Sequence, residues 1–96
     1  MIVLWSEQSL ARVQEIAGHI ALENRDASER WVIELFDAVE RLVAFPESGR
    51  VVPELGSRDT REIILGSYRV FYRVSESVEI LTVRHASRLV LLEELG

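Results

Sequence analysis

The spacing of apolar residues along the chain changes once, near its middle. Before Pro46, apolar residues recur every three to four positions, as they do on one face of a helix. After "FPESG", residues 45 to 49, they alternate with polar residues, as in a strand with one buried face. The pattern predicts a helical first half and a strand-rich second half.

The first half predicts a strand followed by two helices. Residues 1–5, "MIVLW", are rich in strand formers, and Ser6 can cap a helix over residues 6–24. Asp26 with Glu29 three residues later predicts a capping box for a second helix that ends at Pro46. The apolar stripes of the two helices are Leu10, Val13, Ile16, Ala17, Ile20 and Ala21, then Val32, Leu35, Phe36, Val39, Leu42 and Val43. Because the connection is short, we expect the helices to be antiparallel.

The second half predicts three or four strands. "RVVPEL", residues 50–55, is a candidate edge strand because Pro53 cannot donate to a central ladder. Thr60–Leu65, Tyr68–Val74 and Val78–His85 predict an antiparallel meander, and the apolar tail, residues 87–96, is either a last helical turn or a segment that docks on a partner. The predicted fold is one α+β domain over residues 1–96, ordered β-α-α-β-β-β with room for one further strand, with the helical hairpin packed on an antiparallel sheet.

Composition narrows the function classes. The chain has 96 residues and a net charge of −5, which argues against coating nucleic acid by bulk electrostatics. It has no cysteine, two histidines and no apolar run of membrane-spanning length. We therefore expect a cytoplasmic protein without metal or cofactor. Residues 1–48 contain four arginines and nine acidic residues, whereas residues 49–96 contain seven of each. The positive charge is therefore concentrated in the second half.

Pairing rules predict where these charges point. With "SES" as a three-residue loop, Arg73 lies opposite Glu79 and Arg69 opposite Val83, whereas a one-residue slip would oppose Arg69 to Arg84. The first register places Arg69, Arg73 and His85 together on the face away from the helices, with Glu62 as their nearest carboxylate. In the same register, Arg61 and Arg84 point toward the helices or lie at the sheet edge.

Two readings of this charged face stay open. Arginines beside a histidine can bind a phosphate or stabilise a phosphoryl transition state while the imidazole moves a proton. The same face can equally be a solvated set of salt bridges with Glu62 and Glu79, which is common on one side of a sheet. Residue types alone do not choose between these readings.

Three segments together resemble a known family. "GRVVPEL", "REIILGSYRVFYRV" and "VEILTVRHASR", in that order after a helical hairpin, resemble the ParE/RelE superfamily of toxins from bacterial type II toxin–antitoxin systems. The resemblance spans nearly the whole chain. It implies a compact toxin that a cognate antitoxin protein neutralises in a hetero-oligomer.

The resemblance implies one of two activities. A RelE-like toxin would cleave mRNA on the ribosome, with Arg69 and His85 as the matching catalytic residues. A ParE-like toxin would bind and poison DNA gyrase without breaking bonds, and this branch is favoured because no tyrosine follows His85 and lysine is absent. A third alternative is a non-toxic member that only binds an antitoxin. The candidate residues for binding antitoxin or target are Arg50, Arg61, Arg73, Arg88, Leu89 and Leu92.

Overall fold

In the described part of the chain, two α-helices pack on one face of a five-stranded sheet. The computed structural model describes residues 1–55, 59–88 and 92–95. Its elements are β1 (Val3–Trp5), α1 (Glu7–Glu23), α2 (Arg25–Ala44), β2 (Arg50–Val51), β3 (Thr60–Leu65), β4 (Tyr68–Val74), β5 (Val78–His85) and a 3-10 helix, η1 (Leu92–Leu95). The α+β class, the element order and the bounds of β3, β4 and β5 are confirmed.

The sheet is mixed, which corrects the prediction of an antiparallel sheet. The strand order is β1-β5-β4-β3-β2, and β1 runs parallel to β5, with Val3 opposite Val78 and Trp5 opposite Ile80. The other three pairings are antiparallel. An alternating pattern shows which face of a strand is buried but carries no direction, so the parallel pairing was beyond the sequence.

A single residue separates the two helices. Asn24 has an extended backbone (φ −156°, ψ 107°), and its side chain accepts a hydrogen bond from the Ala27 amide at 3.0 Å. The predicted capping box of Asp26 and Glu29 is therefore wrong, because α2 already starts at Arg25 and Asp26 lies in its first turn. The Ser6 cap of α1 is confirmed, since its hydroxyl accepts from the Ser9 amide at 3.0 Å.

The main core lies between the helices and the sheet. It contains Val13, Trp31, Leu35, Val39, Leu42, Val70, Tyr72, Val78, Ile80 and Val83. A smaller cluster of Val52, Phe71 and Leu95 covers part of the opposite sheet face. Burying each such side chain contributes about 1.5–3 kcal/mol. Because Leu95 is buried there, η1 packs on this domain. Of the two alternatives for the apolar tail, this supports a last helical turn over a segment that docks on a partner.

Tyr72 fixes the path of the chain between α2 and β2. Its hydroxyl donates to the Pro46 carbonyl at 2.7 Å and accepts from the Gly49 amide at 2.9 Å. Burial raises the pKa of this hydroxyl above its ordinary value. A Cβ on Gly49 would lie 2.5 Å from the tyrosine oxygen and 2.6 Å from the Glu62 carbonyl oxygen, so the close approach requires glycine.

Candidate functional site

Arg69 lies at the centre of a charged network on the sheet face away from the helices. Its guanidinium contacts Glu62 at 2.6 Å and Glu54 at 2.7 Å, and it lies 4.7 Å from the centre of the Phe71 ring. Only 6% of Arg69 and 1% of Glu62 are exposed. The hydrogen bond with Glu54 raises the pKa of Arg69 further above its already high value, although burial opposes the shift. Arg69 is a charge neutralised inside the protein.

The other predicted arginines of this half lie around the network. Arg50 donates to Glu62 at 2.6 Å, yet 62% of its side chain is exposed. Arg61 lies opposite Tyr72 on the helix side, as predicted, and donates to the Gly49 carbonyl at 2.8 Å. Arg73 donates to the Leu95 carbonyl and lies 3.9 Å from Glu79. Of these three, Arg50 presents the most charge to solvent.

A β-bulge overturns the predicted register at the far end of β4 and β5. Val74–Val78, Arg73–Glu79 and Tyr72–Ile80 pair as the predicted register requires. Phe71 then pairs with Thr82 instead of the predicted Leu81, so Leu81 has no partner of its own. Arg69 consequently lies opposite Arg84, the like-charge pair that the prediction rejected.

The bulge brings an additional apolar side chain into the main core, and carboxylates neutralise the two opposed arginines separately. It places Val83 rather than Thr82 opposite Val70, so an apolar side chain enters the main core. Arg84 donates to Glu94 at 2.9 Å, whereas Arg69 binds its own carboxylates. Arg84 thus shares the face of Arg69, which corrects its predicted direction.

The same bulge separates His85 from Arg69. His85 lies opposite Tyr68, and the two rings meet edge to face at 5.4 Å. It is therefore on the helix side of the sheet, so the predicted face shared by Arg69, Arg73 and His85 is wrong. The prediction assumed uninterrupted alternation along β5. The extra residue of the bulge reverses the direction of every later side chain, so His85 points to the helix side.

His85 instead lines a cleft between α1 and the end of β5. The cleft has a volume of about 450 Å³ and is lined by Arg12, Glu15, Ile16, His19, Tyr68, Val83, Arg84, His85, Ser87 and Arg88. The Ser87 amide donates to Nδ1 of His85 at 3.1 Å, so that nitrogen is an acceptor and the neutral ring carries its proton on Nε2. Cations and two imidazoles converge here, away from the Arg69 network.

The C-terminal candidates are only partly described. Arg88 is exposed, and its amide donates to the His85 carbonyl at 3.0 Å. Leu89 lies outside the described residues, and Leu92 is the first residue of η1. Their predicted roles in binding stay predictions.

Two carboxylates that organise these arginines were not predicted. Glu54 binds Arg69, and Glu94 contacts Arg84 at 2.9 Å and Arg12 at 3.3 Å. Glu54 stands within "GRVVPEL", but its partner is fifteen residues away across a turn and a strand. No local spacing signals such a contact.

Neither a cluster of metal-ligating residues nor a membrane-spanning helix occurs in the part of the chain that the structure describes. Residues 1–55, 59–88 and 92–95 contain no group of three or more potential metal-ligating side chains. Within the same residues, neither α1 nor α2 is long and apolar enough to span a membrane.

Comparison with solved structures identifies the fold. A chain described as "Chromosomal ParDE TA system from P. aeruginosa" superposes with a TM-score of 0.71 at 21% sequence identity. The match covers 88% of the present chain and 95% of that chain. At this identity the likeness concerns the architecture of helices and sheet.

Comparison of sequences identifies the family. A protein of Sinorhizobium fredii (strain NBRC 101917 / NGR234) named "Putative toxin Y4kP" is 38% identical over 86 residues, which is 88% of this chain and 86% of that protein. The family described as "ParE toxin of type II toxin-antitoxin system, parDE" matches residues 3–90. The chain therefore belongs to the ParE toxin family of type II toxin–antitoxin systems.

Proposed function

We propose that this toxin binds and poisons DNA gyrase and that a cognate antitoxin neutralises it in a hetero-oligomer, in the cytoplasm. Membership of the ParE family supports the proposal. The observation that carries the choice of activity is the separation of Arg69 from His85. Cleavage of RNA needs a proton acceptor beside a cation that can reach the phosphate, and here Arg69 is buried between two glutamates on the other sheet face. Poisoning by binding needs no such pair.

The surface cations are the candidates for contacting the target or the antitoxin. Arg50 and Arg88 expose their charge to solvent, and Arg61 and Arg73 are partly exposed. Leu89 and Leu92 stay candidates from the sequence. An exposed arginine suits an acidic surface on the partner, so each of these positions is tested separately.

A supercoiling assay tests the proposed target. Purified toxin should inhibit ATP-dependent supercoiling of relaxed plasmid by gyrase and should increase cleaved DNA, and Arg50→Ala and Arg88→Ala, each tested alone, should weaken both effects. Topoisomerase I relaxation of the same plasmid is the control. Full supercoiling at saturating toxin would reject gyrase as the target.

The antitoxin is tested through the neighbouring gene. A small reading frame adjacent to the toxin gene should restore growth on co-expression, and its product should elute with the toxin as one complex. A neighbour that neither rescues growth nor binds would reject the cognate pairing while leaving the gyrase result untouched.

Ribosome-dependent mRNA cleavage is the second candidate. The observation that favours it is the exposed His85 beside Arg84 and Arg88 in the cleft, where cations and an imidazole meet without Arg69. Primer extension on a translated message should then show cuts in the ribosomal A site that His85→Ala abolishes. An uncut message in arrested cells would exclude this activity.

A further inference from the structure

The cleft between α1 and the end of β5 contains hydrogen-bond donors that the fold does not use. Within the described residues, the side chains of His19, Tyr68 and Arg88 make no hydrogen bond. Nδ1 of His85 accepts from the Ser87 amide, so the neutral ring carries its proton on Nε2, which has no partner among the same residues. Unused donors gathered in one concavity indicate a site for a ligand rich in acceptors.

The charge of this cleft is positive although the protein is acidic. Arg12 contacts Glu15 at 3.2 Å and Glu94 at 3.3 Å. Arg84 contacts the same Glu94 at 2.9 Å, so these two arginines and two carboxylates neutralise one another. Arg88 is exposed and forms no ion pair within the described residues, so its charge is left over. In a chain of net charge −5, a cationic cleft attracts an anion to one place.

The donors reach the cleft from three elements. His19 is on α1, Tyr68 begins β4, and His85 ends β5. Arg88 follows β5, where its amide donates to the His85 carbonyl. Donors that arrive from several directions suit a tetrahedral phosphate, whose oxygens also point in several directions, whereas a carboxylate accepts in one plane. A guanidinium also presents parallel N–H groups that match two phosphate oxygens. The arrangement therefore favours a phosphate group.

The cleft has room for more than a phosphate group. Its volume is about 450 Å³, and small-molecule sites typically have volumes of about 300–1,000 Å³. Ile16 of α1 and Val83 of β5 line it together with Tyr68, so an apolar wall adjoins the donors. A flat, weakly polar body can lie against such a wall while its phosphate meets the donors. A nucleoside monophosphate combines these two parts.

We propose that this cleft reversibly binds a nucleoside monophosphate, with the phosphate at Arg88 and Nε2 of His85. The base would lie along Ile16 and the Tyr68 ring. Only binding is involved, and no bond of the nucleotide breaks. The site is on the helix side of the sheet, whereas the Arg69 network is on the other face. Binding of the nucleotide requires neither gyrase nor mRNA as the target of the toxin.

The two histidines of the chain make this binding measurable. His19 and His85 both line the cleft, so the imidazole NMR signals of the ¹⁵N-labelled protein report on the site directly. Three ligands with the same base are compared: adenosine 5′-monophosphate, adenosine 3′,5′-cyclic monophosphate and adenosine. We expect the 5′-monophosphate to shift both imidazole signals to saturation and the other two ligands to bind at least roughly tenfold more weakly.

Three results would overturn the proposal. Unchanged imidazole signals at about 5 mM adenosine 5′-monophosphate would mean that the donors are only solvated. Equal affinity for adenosine would mean that the phosphate is not recognised. Equal affinity for the cyclic diester would assign the cleft to phosphodiesters such as a nucleic-acid backbone.

A matched pair of arginine variants locates the site. Arg88→Gln removes the charge that is left over and should weaken binding of adenosine 5′-monophosphate at least roughly tenfold. Arg30→Gln removes an equal charge at an exposed position of α2 outside the cleft. It should leave the affinity unchanged at about 0.15 M salt, which screens distant charges. Equal losses in both variants would overturn the proposal, and if Arg88→Gln fails to fold, the three ligands on the unaltered chain still decide.

Discussion

Arg69 on β4 and Glu62 on β3 form an ion pair of 2.6 Å with almost no contact with solvent. Glu62 is shared with Arg50, and Arg69 is shared with Glu54, so four charges form one chain of contacts across β2, β3 and β4. A buried charge without its partner is far more costly than an exposed one. The network therefore has consequences for stability that can be measured.

Removing the buried carboxylate should strongly destabilise the domain. Glu62→Gln leaves Arg69 with Glu54 alone, and loss of one partner of a buried pair costs about 3–5 kcal/mol in the free energy of unfolding. Urea titration followed by circular dichroism measures the loss. Glu79→Gln is the control, because its contact with Arg73 is 3.9 Å long and both side chains are more than a third exposed, so the change should stay within about 1 kcal/mol. Equal losses would contradict this account.

Arg69 should affect toxicity through folding. Arg69→Ala removes the buried cation that lies between the buried Glu62 and the more exposed Glu54, and a cost of about 3–5 kcal/mol should lower the Tm by more than about 10 °C. Arg88→Ala, at an exposed side chain, should leave the Tm nearly unchanged. Growth inhibition by Arg69→Ala should fall in proportion to the soluble protein in the cell. A stable and abundant Arg69→Ala variant without toxicity would instead point to a direct role.

Replacing Gly49 or Gly18 by alanine should change the stability of the domain in opposite directions, because the two glycines have different surroundings. Gly49→Ala forces a methyl group against the Tyr72 hydroxyl and the Glu62 carbonyl, and such overpacking costs about 1–3 kcal/mol. Gly18→Ala lies inside α1 with nothing within 4 Å, so it should stabilise by about 0.5–1 kcal/mol. Thermal unfolding of both variants beside the unaltered chain measures the signs. Destabilisation by Gly18→Ala would show that the helix packs more tightly than the structure indicates.

Tyr72 should make stability fall at alkaline pH. Burial raises the pKa of its hydroxyl in the folded state, so folding favours the neutral form. The contribution of this hydroxyl to stability is therefore fully present below the unfolded pKa of about 10, and it is lost as the pH rises through the folded pKa. Tyr72→Phe should lose about 1–3 kcal/mol at neutral pH, because the buried Gly49 amide then has no acceptor. Unfolding free energies from pH 7 to 11 measure both effects. The difference between the two proteins should shrink above pH 10, and a constant difference would contradict the assignment.

Much of the local structure could be predicted because its signals are local. The bounds of β3, β4 and β5 follow from alternation between turn residues, and the Ser6 cap follows from one hydroxyl before a helical stripe. The predicted capping box was wrong because two nearby residues, Asn24 and Asp26, are both good cap residues. Only the packing of α1 against α2 shows that one extended residue suffices to turn the chain.

The candidate site was less accessible to the sequence. Its arginines were identified, and Glu62 was correctly named as their partner, because both lie on neighbouring strands of a meander with short turns. Glu54 and Glu94 reach their partners from a loop and from η1, so their contacts depend on how distant segments dock. The position of His85 depended on a single unpaired residue in β5.

The sequence by itself determined the order of the elements, the buried face of each and the family motifs, because periodicity and turn residues act over a few positions. Tertiary structure decided that β1 pairs in parallel with β5, that Leu81 forms a bulge and that Arg69 is neutralised while His85 faces α1. These outcomes depend on competition between whole segments for the same core. Placing Val83 rather than Thr82 against Val70 favours the bulge, and the bulge then sets the direction of every later side chain.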